Sequence, residues 1–159
     1  MRRRVRSVMM IAAVVVGLGG GVAAAQDKPA DTMELLRERA RADKKLVVAT
    51  ALELTESEGK AFWPVYNAYQ SDMIVHYDRV MKLITDYAAA YQSMTEASAT
   101  QLLGEFVALE ANHAALLSKY VPRFQGVLPP RKVARFYQVE NKLRAVLNYD
   151  LARTIPLVK

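Results

Sequence analysis

Beyond residue 25, apolar positions recur at helical spacing and never at the spacing of a strand. Tyr66, Met73, Val80 and Tyr87 repeat every seven residues, joined by Tyr69, Tyr77, Leu83, Ile84 and Tyr91. Steps of three and four predict one long helix with a single apolar seam. A second seam follows, in which Leu102, Phe106, Leu109, Leu116 and Tyr120 alternate steps of four and three, with His113 filling one step. No stretch alternates with period two. Alanine, leucine, glutamate, lysine and arginine fill the positions between, and all are good helix formers.

Start and stop signals divide the chain into four helices. The first is expected from about Thr32 to Leu52, with Leu35, Leu36, Leu46, Val47 and Leu54 as its sparse apolar positions. The second opens at Thr55, where "TESE" reads as a capping box: Thr55 accepts from the Glu58 amide and Glu58 reaches back. It runs to about Ser93. The third starts after Thr95 and ends near Gln125, before "GVLPP". Pro130 suits the first turn of a fourth helix, Arg131 to Arg153, which stops ahead of Pro156.

Only Met94 and Thr95 separate the second helix from the third, so the two should fold back as an antiparallel hairpin. Residues 56–93 as one straight helix would be roughly 57 Å long at 1.5 Å per residue. A compact globule of this size has a radius of gyration of only about 14 Å. The expected fold is therefore all-α and elongated, with a long curved central hairpin in a thin helical layer that leaves an apolar face for a partner. Pro64 admits two readings. It either kinks a helix already begun at Thr55, at the level of a matching interruption by Pro122, or it begins the long helix itself.

The first residues change the charge argument. "MRRRVRSVMMIAAVVVGLGGGVAAAQ" joins an arginine cluster, an apolar run and Ala23-Ala24-Ala25, the pattern of a cleaved signal peptide over residues 1–25. Four of the 22 basic residues lie there, which leaves 18 against 16 acidic ones, a net of +2 for residues 26–159. The basic pI is then an export label, and no nucleic-acid footprint remains. The expected address is the periplasm, for a single domain spanning 26–159. With no cysteine in the chain, disulfides and thiol chemistry are excluded.

One stretch recurs. "LTESEGKAF" at Leu54–Phe62 lines up with "LPPRKVARF" at Leu128–Phe136: leucine, a helix-start residue (Thr55, Pro129), then a phenylalanine eight positions after the leucine. Twice present, this resembles the LTXXQ motif of the Spy/CpxP family of small periplasmic proteins. The fifth position departs from the motif, with Glu58 in the first copy and Lys132 in the second. The resemblance implies a thin, curved, helical homodimer acting as an ATP-independent chaperone, a regulator of envelope-stress sensing, or a metal-responsive protein. Its partners would be unfolded or envelope proteins, or a membrane sensor. Leu54, Thr55, Phe62, Trp63, Pro64, Leu128, Pro129, Phe136 and Tyr137 read as motif and packing residues rather than a ligand site. Trp63, beside Phe62 and Tyr66, is expected to leave part of its surface for a second copy of the chain.

Candidate chemistry is sparse. There is no phosphate-binding loop beyond residue 25, and neither histidine sits in a nucleophile constellation, so no enzyme and no organic cofactor are expected. In an antiparallel pair pivoting between residues 94 and 95, His76 faces His113 and Arg79 faces Glu110. Asp72 stands four residues before His76, and "EANH" places Glu110 three before His113. His76, His113, Glu110 and Asp72 therefore form either a Zn²⁺ or Ni²⁺ site or a polar layer of mutual hydrogen bonds that fixes the hairpin register.

Overall fold

A computed structural model describes residues 42–158, and within them every regular element is helical. The signal peptide and the first ten residues of the expected first helix lie outside the described residues. Helix α1 covers residues 42–52, α2 runs Glu56–Ala90, α3 Glu96–Gln125 and α4 Pro130–Thr154, with a 3₁₀ turn at Tyr91–Ser93.

The helix starts are set by local chemistry. Thr55 accepts from the Glu58 amide at 3.3 Å while the Glu58 carboxylate takes the Thr55 N–H at 2.8 Å, so the expected capping box is present. Thr95 repeats it with Ser98 in the place of the glutamate. Pro130 occupies the first turn of α4, where its missing N–H leaves no intrahelical bond unmade. Pro64 and Pro122 both lie inside helices, so α2 starts just after its Thr55 cap and passes through the proline. The Lys60 carbonyl thereby loses its usual donor, and Lys60 is exposed enough for water to replace it.

Packing is concentrated at one end. Val48, Leu52, Phe62, Tyr66, Tyr69, Met73, Tyr120, Phe124, Leu128, Val133 and Phe136 form a single buried core. Phe136 is its hub, with ring centroids 4.6 Å from Phe124 and 5.6 to 5.8 Å from Phe62 and Tyr69. These offset and edge-on contacts suit the ring quadrupoles. Contacts along α2 and α3 run in opposite order, from Phe62–Phe124 through Tyr69–Tyr120 and His76–His113 to Arg79–Glu105, so the two helices are antiparallel.

Two sequence expectations are corrected. In α1 it is Val48 and Leu52 that are buried, while Leu46 and Val47 face outward. Phe106 fits the α3 seam by spacing but is 52% exposed, because the seam there lies on the adjoining face through Leu102 and Glu105. Trp63 is half-buried within its own chain, edge-on to Phe62 and Tyr66 and covered on its face by the Lys45 ammonium at 4.8 Å. Lys45 of α1 thus covers one face of the ring, and part of its surface remains open.

Candidate binding surface

Three groups of residues bear on function, the first two of them singled out from the sequence. The first is the histidine level. His76 and His113 are both buried, with ring centroids 5.4 Å apart. His76 Nδ1 pairs with Asn112 Oδ1 at 3.1 Å. Burial holds both imidazoles below their ordinary pKa, with the Arg144 charge adding to the effect.

The carboxylates expected to join them are engaged elsewhere. Asp72 accepts from Lys119 Nζ at 2.7 Å and from the Tyr120 hydroxyl at 2.8 Å, which holds its carboxyl below the ordinary range. Glu110 takes both its bonds from Arg144 of α4, at 2.9 and 2.8 Å, and Arg79 pairs with Glu105. A two-helix register argument missed Arg144 because it arrives from a third helix. Among the described residues no three metal-ligating side chains converge, so the structure brings together the two histidines of the four-residue set and not its carboxylates.

The second group is the repeated motif. The two copies meet: Phe62 stacks edge-on against Phe136, and Leu54 and Leu128 both pack at the core. The residues that stand at the motif's departing fifth position bind each other, Lys132 Nζ donating to Glu58 Oε2 at 2.6 Å and to the Glu53 carbonyl at 3.0 Å. That ammonium, with the Thr55 amide behind it, holds the Glu58 carboxyl below its ordinary pKa. Pro129 caps the start of α4 without a side-chain bond, and Tyr137 donates its hydroxyl to the Leu117 carbonyl at 3.0 Å. Burial, with the Glu140 charge, pushes the Tyr137 hydroxyl up to about 12.

The third group was not singled out from the sequence. Beyond His76 the α2 seam continues through Val80, Leu83, Ile84 and Tyr87, but none of these is fully buried. On the same stretch Met81 is 57% exposed, and on α3 Leu103, Phe106 and Val107 are each more than half exposed. Val146 and Tyr149 of α4 face outward as well. The ion pairs Arg79–Glu105 and Lys82–Asp86 alternate with these apolar positions. Apolar side chains and paired charges therefore share this surface. The signal in the sequence was the excess of apolar positions over one seam in α3. No helix among the described residues is long and apolar enough to cross a membrane.

Comparison with protein-family models, with curated proteins and with solved structures returned no match to the chain.

Proposed function

We propose that the protein is an exported, periplasmic binding protein of the chaperone-like or stress-regulatory kind, which holds unfolded or envelope polypeptides without ATP. The observation that carries this reading is the open stretch of the α2–α3 pair, where Met81, Leu103, Phe106 and Val107 stand exposed beside a seam that is only half-covered. Aliphatic, thioether and aromatic side chains on one surface adapt to varied apolar segments. The signal-like first 25 residues and the LTXXQ-like repeat support this address and class. A thin, curved layer that pairs into a homodimer belongs to the same reading, with part of the exposed surface covered by the second copy.

The test is aggregation of a denatured client protein followed by light scattering, without nucleotide, over client ratios from tenfold excess to equimolar. Suppression is expected, and a Leu103→Ser, Phe106→Ser, Val107→Ser variant should lose most of it while melting at a similar temperature. Equal aggregation with and without the wild-type protein at every ratio overturns the proposal.

A further inference from the structure

Lys44, Val48 and Leu52 stand at i, i+4 and i+8, and so share one stripe of α1. That stripe carries the buried part of the described helix's attachment to the body, with Lys45 over the Trp63 ring beside it. Val48 and Leu52 are the only fully buried residues of the described α1. Lys44 Nζ donates to Glu140 Oε2 at 2.9 Å and to Gln70 Oε1 at 3.2 Å, so it ties α1 to both α4 and α2. At the other end Lys132 of α4 binds the Glu53 carbonyl, just past the last turn.

The surface beneath is an aromatic groove with imperfect polar satisfaction. Phe62, Tyr66, Tyr69 and Phe136 line the core there, and Tyr69 shares Glu140 Oε2 at 3.1 Å. Two buried polar atoms under the strap, Gln70 Nε2 and Glu140 Oε1, have no hydrogen-bond partner among the described residues. An interface with unmatched groups on one side gains less from burial than a matched one. By contrast, α2, α3 and α4 share an aromatic cluster that does not include α1 at all.

We propose that α1 is a releasable strap: it undocks as a unit while α2, α3 and α4 stay folded, and the groove it leaves accepts a helix bearing the same stripe, a cation followed by apolar residues four and eight positions on. The buried Glu140 carboxylate selects the cation, and the aromatic groove selects the two apolar side chains. This is a helix-in-groove mode read at i, i+4 and i+8. It goes beyond the polypeptide-holding surface of the α2–α3 stretch and does not depend on it, since the groove lies at the opposite end of α2.

Amide hydrogen exchange of the intact protein tests the release. Residues 46–52 should exchange by local opening at least about tenfold faster than residues 66–73 and 117–124, which open only with the whole fold. Lys44→Gln and Lys132→Gln should each speed exchange of 46–52 by about tenfold more, the scale of a hydrogen bond to a charged group, and leave the core segments unchanged. Leu46→Ser, on the outward face, should change neither. Equal protection of α1 and the core in the wild type overturns the strap. The groove is tested with Trp63, whose emission reports α1 through Lys45. In a Val48→Asp variant emission should shift to the red, and a synthetic peptide of residues 42–53 added in trans should restore it. A peptide with Lys44 replaced by Glu should not. Restoration by both peptides, or by neither at millimolar concentration, overturns the recognition.

Discussion

The two ends of the α2–α3 pair use the same heptad pattern and reach opposite results. From Phe62 to His76 the α2 seam is buried at every turn, while from Val80 to Tyr91 the same face is never fully covered. What differs is the company the seam keeps. At the buried end α1 and the first turns of α4 close the seam from a third side, and phenylalanines on α2, α3 and α4 meet in one cluster. At the other end the last turns of α4 lie alongside but reach inward with few large side chains. One fastening there is the hydrogen bond from the Tyr87 hydroxyl to the Pro156 carbonyl at 2.7 Å. Periodicity chooses which face of a helix is apolar. Whether that face is buried depends on whether a third element arrives.

The sharpest way to break the comparison is to truncate one phenylalanine at each end. Phe136→Ala removes the hub of the aromatic cluster and should cost about 3–5 kcal/mol of unfolding free energy. Phe106→Ala should stay within about 0.5 kcal/mol, as an exposed substitution does. Urea unfolding of the two variants gives both numbers; similar losses would mean that the ends are equally packed. Next in size is Glu140→Ala, which strips the Lys44 ammonium and the Tyr69 hydroxyl of their shared acceptor. A loss of about 2 kcal/mol is expected, discounted because Lys44 keeps 23% of its side-chain surface in water.

The boundary between the ends carries a pH dependence. His76 and His113 are held neutral by burial, with Asn112 as the bonding partner and Glu110 occupied by Arg144. Their folded pKa values lie below the ordinary 6.5, so the stability they contribute is complete above 6.5 and is lost as pH falls toward the depressed values. Thermal melts at pH 7.5 and 5.0 should show the wild type less stable in acid. A His76→Leu, His113→Leu variant should lose most of that difference; an unchanged slope would place its origin in other groups. The smallest effects come from the caps. Thr55→Ala should lower stability by about 1 kcal/mol. Thr95→Ala, at the open end, should show mainly as local fraying in amide exchange of residues 96–100, with little change in the global melt.

Much of the fold was legible because its signals are local. The capping boxes at Thr55 and Thr95, the seams of α2 and α3, and the proline-led start of α4 each depend on residues within a turn or two. Choices among near-equivalent neighbours were not legible. In "LVVATAL" the segment offers Leu46, Val47, Val48 and Leu52, and only the position of Lys44 against Glu140, ninety-six residues away, decides which stripe turns inward. The polar layer failed for a similar reason. Sequence spacing paired Arg79 with Glu110 across two helices, and Arg144 from a third took Glu110 first. Pro64 was ambiguous because a proline suits a first turn or a kink equally well until the cap upstream is known to form.

Glu53 ends α1 with φ at 47°, a left-handed conformation that a side-chain-bearing residue adopts at a cost. Glycine would take this position freely, yet the chain places a glutamate there. Its carbonyl is held by Lys132, and Arg135 approaches its carboxylate at 4.0 Å. The sense of the corner between α1 and α2 is therefore dictated by a helix that begins almost eighty residues later. Such a corner is not a portable module: grafted into another protein without α4, the same twelve or so residues would have no reason to turn left. In assembly order, too, it must come late, since α4, which fixes its hand, follows it in the chain.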